Sequence, residues 1–251
     1  MDTVDQKLSS KQASDEVGEQ GWRFLLGTLR ASVPVRSLAQ GVEVATSAVA
    51  ACGDDADGHL RVDVRPERVV LTLQSLVPAA VTRRDVDLAQ RLSAVVREAG
   101  LRTEPELGTT AVGAGAAVGA EVAGAVAVRS VQMLEIGIDA LDIPTIRPFW
   151  KAVLGYTDEA ESTGSSDPLV DPVGQGPAIW FQQMDQPRPQ RNRIHFDLCV
   201  PHDEAQHRID AALAAGGRLV SASRAPAFWV LADGEGNEIC VTTWQGRDDT
   251  P

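Results

Sequence analysis

Apolar positions recur at two periods along this chain and mark out its elements. Ser37-Leu-Ala-Gln40 reads as a capping box, in which the serine hydroxyl accepts from the third helical amide while Gln40 reaches back. It opens a helix with Leu38, Val42, Ala45 and Val49 at helical spacing, expected to be its buried stripe. HLRVDVRPERVVLTLQSL then alternates as two short strands broken at Arg65-Pro66-Glu67. Thr82 and Asp85 cap a second helix whose buried stripe is Val86, Leu88, Ala89, Leu92, Val95 and Val96, and Gly100 stops it. The order is helix, two strands, helix, after a Gly21-Trp22 strand or turn. It predicts a small α+β layer over about 8–102.

The second half repeats itself. VQMLEIGIDAL is a strand leading into a helix that Asp142 caps, with Ile146, Phe149, Trp150 and Val153 as its apolar face and Gly155 as its stop. RIHFDLCV is again a strand, followed by a helix through DEAQHRIDAALAA that Gly216-Gly217 ends. Glu135 and His195 are 60 residues apart, and Gly155 and Gly216 are 61 apart. AIWFQQM (178–184) and EICVTTW (238–244) close the two units at the same interval. The reading is two β-α-β-β-β modules over 130–245. Between the halves, 103–129 is rich in Gly and Ala, which offer little to bury, and is expected to be a flexible linker, a short Ala-rich helix being the alternative.

Composition narrows the function classes. The net charge is −12 and the pI about 4.7, which disfavours nucleic acid and anionic membranes as partners. The polar N-terminal stretch lacks a signal-peptide pattern, and Val112–Val128 is too glycine-rich, with Glu121 inside it, for a good membrane span. Three cysteines (Cys52, Cys199, Cys240) at no metal-like spacing suggest reduced thiols, and the chain is expected to be cytoplasmic. Only Trp22 and Phe24 of the aromatic residues precede Phe149, so the two interiors should differ in kind.

Residues 142–156 (DIPTIRPFWKAVLGY), 190–197 (QRNRIHFD) and 231–241 (LADGEGNEICV) together resemble the glyoxalase-like members of the vicinal oxygen chelate superfamily. The resemblance implies paired modules curved into a cup, with ligands on facing strands holding a divalent metal. The first half resembles pterin-4a-carbinolamine dehydratase through Gly21-Trp22, 58–65 (GHLRVDVR), Val69–Leu73 and 81–89 (VTRRDVDLA). That family carries His-His-Pro and a further histidine. Here the positions read Gly58-His59-Leu60 and Leu76, so His59 alone remains and the dehydratase site is degenerate. Dehydratase association through strands and helices implies a homodimer resting on this domain. The expected fold is therefore α+β in two domains, an αββα dehydratase-like layer and paired βαβββ modules forming a glyoxalase-like cup.

Alternation along strands puts His195, Asp197 and Cys199 on one face, Glu238, Cys240 and Thr242 on another, and Glu135, Gly137 and Asp139 on a third. Glu135, His195 and Glu238 would suit Fe, Mn, Ni, Co or Zn as a three-ligand site, and Gln182 is a weak fourth candidate. Without a metal, His195, Glu238, Glu135 and Asp197 would serve as acid–base or orienting groups. His195 bonded to a neighbouring carboxylate in the core, and Glu238 merely holding its turn, is the competing structural reading. Trp180, Gln182, Trp229 and Trp244 are candidates for the substrate wall, and Arg193, with Arg188 and Arg191, for clamping an anionic substrate. His202, His207 and His59 read as structural or solvated, and Trp150 as helix core. The preferred function is a small-molecule enzyme performing a lyase, isomerase or cyclisation-type step on a carbonyl or enol. The alternatives are a non-catalytic protein binding an antibiotic or metabolite, and a pterin carbinolamine dehydratase.

Overall fold

The computed structural model describes residues 6–108, 128–159, 164–187 and 194–246. The chain divides into two compact units between Met133 and Leu134. Among the described residues no helix is long and apolar enough to cross a membrane.

In the first unit, helix α1 (Ser10–Val17) precedes a hairpin of β1 (Arg23–Leu25) and β2 (Thr28–Pro34). Helix α2 (Leu38–Cys52), the single turn α3 (Ala56–His59), strands β3 (Leu60–Arg65) and β4 (Arg68–Leu73), and helix α4 (Arg83–Glu98) follow. The strands form one antiparallel sheet in the order β1-β2-β4-β3. The expected αββα pattern is present, but the Gly21-Trp22 segment opens onto two strands rather than one strand or turn. Leu29, Ala31, Val33, Val69, Leu71 and Leu73 face the helices and are buried. Trp22 is buried among them and donates to Ser93 Oγ at 2.9 Å.

Only half of the capping box expected at α2 forms: Gln40 N donates to Ser37 Oγ, but Gln40 Oε1 accepts from Arg36 N at 2.8 Å rather than from the Ser37 amide. At α4 the box is complete, with Thr82 N donating to Asp85 Oδ2. The stripe expected on α4 is buried apart from Val95, which is half-buried. The stripe expected on α2 is not. Leu38, Val42 and Val49 are 52%, 54% and 49% exposed, whereas Gly41, Val44, Ala48 and Cys52 are buried. Both stripes have helical spacing, and close approach selects between them. A Cβ at Gly41 would come within 2.9 Å of Val64 Cγ1, so this glycine face lies against β3.

Strands β5 (Glu106–Gly108) and β6 (Val128–Ser130) pair antiparallel. Most of the expected 103–129 linker, 109–127, lies outside the described residues.

The second unit contains both βαβββ modules. The first is β7 (Glu135–Ala140), α5 (Ile143–Leu154), β8 (Thr157–Asp158), β9 (Leu169–Val170) and β10 (Ala178–Gln183). The second is β11 (Asp197–Cys199), α6 (Ala205–Ala214), β12 (Arg218–Arg224), β13 (Phe228–Ala232) and β14 (Glu238–Thr242). Each module keeps its own sheet, ordered β7-β10-β9-β8 and β11-β14-β13-β12, with the first and last strands parallel in both. Ile138, Ile146, Phe149, Trp150, Ile179, Ile209, Leu231, Ile239 and Val241 from both modules form one buried core.

The modules are joined by the turn before β14. Asp233 is fully buried and accepts from Trp150 Nε1 at 3.0 Å, from the Glu235 and Asn237 amides at 2.9 Å each, and from Asn237 Nδ2 at 2.9 Å. The Glu235 carboxylate accepts the Leu141 and Asp142 amides at 2.7 and 2.6 Å, before α5. Asn237 Nδ2 also reaches the Asp139 carbonyl at 3.3 Å. Buried donors left without a partner carry a full desolvation cost. Asp233→Ala should therefore lower the stability of this unit by about 3 kcal/mol, read as the urea midpoint followed by tryptophan fluorescence. A loss within a few tenths of that for an exposed substitution would show that the turn is not holding the modules together.

Candidate active site

The outward face of the second sheet carries the candidate chemistry. Asp197 registers with Cys240 across the parallel β11–β14 pair, and Cys240 N donates to the Phe196 carbonyl at 2.8 Å. Continued two residues back, that register would set His195 opposite Glu238, although the paired strand itself begins at Asp197. The strand is shorter than the 194–200 expected, and His195 lies just ahead of it. His195 and Asp197 are exposed, and Glu238 is half-buried.

All three line one cavity of about 860 Å³, together with Ser223, Arg224, Phe228, Val230, Cys240 and Thr242. The β12–β13 hairpin forms its other wall. Register shifts between Leu219 and Ser221, and between Ser221 and Arg224, interrupt the pairing, and such bulges bend a strand and re-aim its side chains. The hairpin tip is tied to the end of β14, where Thr243 Oγ1 donates to the Pro226 carbonyl at 2.6 Å and Thr243 N to the Ala227 carbonyl at 3.0 Å. The cavity thus combines an imidazole, two carboxylates and one guanidinium with an apolar wall.

The other candidates are placed elsewhere. Glu135 is exposed on β7 in the other sheet, where it registers with Ala178, which offers no donor group. It is not among the residues lining the cavity. Among the described residues no group of three or more His, Cys, Asp or Glu side chains is gathered as a metal would need. The expected ligand set of Glu135, His195 and Glu238 is therefore not assembled. The repeat makes Glu135 and His195 equivalent in topology, and equivalent strands in separate sheets need not meet.

Trp180 and Gln182 share the outward face of the first sheet. The Trp180 indole lies over Gly137, where a Cβ would come within 2.8 Å of its Cζ2, so the glycine makes room for a half-exposed aromatic plate. Gln182 Nε2 donates to the Gln183 carbonyl at 3.1 Å. Trp229 packs on the shared core, because its register partner is Val241, while its neighbours Phe228 and Val230 face the cavity. Trp244 is 62% exposed and stacks edge-on with His202, their ring centroids 5.5 Å apart. His207 is exposed beside Glu204. Trp150 is core, as expected. Arg193, with Arg188 and Arg191, lies outside the described residues.

Arg224 and Ser223 were missed in the sequence. Their only signal is a proline turn, Arg224-Ala-Pro-Ala227, inside a segment whose bulges depend on pairing with β13. A polar cluster in the first unit was missed as well. His59 Nδ1 lies 2.8 Å from Asp85 Oδ1, while Asp85 Oδ2 accepts from Ser75 N and Oγ and from Thr82 N and Oγ1. Asp85 is fully buried and the His59 side chain is 14% exposed, so one carboxylate both caps α4 and holds the histidine. Leu76 at the further dehydratase histidine position is exposed.

Residues 135–242 match the family model of the glyoxalase-like domain, and residues 6–95 match that of pterin 4 alpha carbinolamine dehydratase. The chain joins a pterin-4a-carbinolamine dehydratase domain to a glyoxalase-like domain. A glyoxalase/bleomycin resistance protein/dioxygenase family enzyme from Burkholderia phytofirmans is 17% identical with a TM-score of 0.37, covering 43% of this chain and 95% of that one. A transcriptional coactivator/pterin dehydratase from Brucella melitensis is also 17% identical, TM-score 0.33, covering 36% and 98%. A variant of the fosfomycin resistance protein FosX from Listeria monocytogenes, complexed with Mn(II) and a dihydroxypropylphosphonic acid, is 12% identical, TM-score 0.34, covering 43% and 86%. No curated protein matches this chain.

The thiols report on this geometry. Cys199 is exposed, Cys240 lines the cavity, and Cys52 is buried with its thiol pushed up by desolvation. Iodoacetamide should modify Cys199 first and Cys52 only on unfolding, as mapped by peptide mass spectrometry. Early modification of Cys52 would contradict the packing of α2.

Proposed function

We propose that the glyoxalase-like domain is an enzyme of small-molecule metabolism that moves a proton on a carbonyl or enol substrate, in a lyase, isomerase or cyclisation-type step. The observation that supports this reading is that His195 and Glu238, 43 residues apart in the chain, line the same cavity. Proton transfer needs a donor and an acceptor within reach of the same substrate atoms. Here the imidazole takes or gives the proton and Glu238 or Asp197 orients it or accepts in turn. Arg224 offsets negative charge on the substrate as an enolate develops. Phe228 and Val230 supply the apolar wall that excludes water from one side. The chain's three-ligand candidates are not assembled, so these roles are assigned to the side chains alone.

Binding without turnover is the second reading, and the Trp180 plate over Gly137 supports it by offering a stacking surface for an aromatic metabolite or antibiotic. A dehydratase activity in the first domain is the third, resting on His59 held by Asp85. A cytoplasmic setting belongs to the same proposal.

A thermal-shift screen of carbonyl and enol metabolites, with metal content measured on the purified protein, would find the ligand. With that ligand, His195→Ala and Glu238→Gln should each lower kcat by about 100- to 10,000-fold while leaving the melting temperature unchanged. Full turnover in His195→Ala would remove the enzymatic reading. Tight binding with no product in the parent protein would favour the second.

A further inference from the structure

The face of the first unit's sheet turned away from the helices carries a row of cations. Directly opposed residues on antiparallel strands share a face, and the register aligns Arg23 with Arg30, Arg30 with Thr72, and Thr72 with Arg61. Arg23 is engaged, donating to the Gly18 and Trp22 carbonyls at 3.0 and 2.8 Å. Arg30 and Arg61 are half-buried and make no ion pair among the described residues, although the chain carries a net charge of −12.

Nearby carboxylates are held by other arginines: Asp63 by Arg65, Glu67 by Arg68, and Glu104 by Arg102. Arg30 Nε is buried and has no hydrogen-bond partner among the described residues. Arg61 is aimed: it donates to Gln74 Oε1 at 3.2 Å, and Gln74 Nε2 is fixed in turn on the Gly27 carbonyl at 3.2 Å. Burial pulls both guanidinium groups down from their ordinary pKa, and the charge of Arg61 pulls Arg30 further.

Two like charges on either side of one threonine, partly desolvated and without an acid, raise the energy of the free protein. A buried N–H without an acceptor adds to that cost. An oxyanion would relieve both at once, since guanidinium forks match phosphate and carboxylate geometry. We propose that Arg30 and Arg61, flanking the buried Thr72 and oriented by Gln74, bind the phosphate or carboxylate group of a small molecule at the sheet face of the dehydratase domain turned away from its helices. Arg30, Arg61, Thr72 and Gln74 all belong to the first unit, and none of them lines the cavity at His195.

The test uses the full chain, titrated with inorganic phosphate and separately with acetate at constant ionic strength, and followed by melting temperature and calorimetry. Saturable binding of at least one anion is expected. Tighter phosphate assigns a phosphoryl group, and tighter acetate a carboxylate. Arg61→Gln should weaken the anion by about tenfold or more and, without anion, melt no lower than the parent, because it removes a repulsive contact. Arg30→Met should behave alike, and Arg97→Gln, on an exposed turn of α4, should leave binding intact. No saturable response to either anion overturns the proposal. So does an unchanged response in both arginine variants, an equal loss in Arg97→Gln, or anion-free melting temperatures below the parent in both Arg61→Gln and Arg30→Met.

Discussion

One buried carboxylate ties the two glyoxalase-like modules together. Asp233 belongs to the second module, yet it accepts the indole N–H of Trp150 from the first, 83 residues away. Trp150 is fully buried, so its N–H has no water to turn to, and Asp233 equally needs the donors it gathers. The same short turn sends Glu235 to the amides before α5 and Asn237 to the end of β7. The next residue is Glu238. Fixing the modules to each other therefore also fixes where the cavity carboxylate enters β14.

Close helix packing completes the join. A Cβ at Gly217 would collide with Phe149, and one at Gly155 would collide with the Arg208 guanidinium, so the glycines that stop the two helices also let the modules approach. The core that results is shared, and only the outward sheet faces remain for a ligand. Alternation along each strand gives the opposite side to Ile138, Ile179, Ile239 and Val241, which form the core.

Much of this was legible in the sequence, and the parts that were not have physical reasons. The duplicated βαβββ order could be read because a period of about 60 residues repeats whole elements with their caps and stops. His195 and Glu238 could be named as candidates because the resemblance implies functional groups on facing strands, and both line one cavity. Glu135 could not be placed with them from the repeat, since equivalence between modules carries no distance. The buried face of α2 was misassigned because two apolar stripes share that helix, and Gly41, the residue that decides between them, contributes nothing to a hydrophobic pattern. The hairpin that supplies Ser223, Arg224 and Phe228 to the cavity was unreadable because bulged pairing is set by the partner strand. In the first domain, the His59–Asp85 contact joins a strand start to a helix cap 26 residues on, and only the cap half could be seen in advance.

The proposed chemistry needs His195, just ahead of β11, to lie beside Glu238 on β14. Oxidative trapping tests that most directly, in a background with Cys199→Ser and Cys240→Ser, because a disulfide closes only when the Cα atoms are about 4.4–6.8 Å apart. The pair His195→Cys with Glu238→Cys should cross-link readily in the folded protein, and the pair Glu135→Cys with Glu238→Cys should not. Cross-linking of the second pair with none in the first would contradict the arrangement on which the proposed chemistry rests.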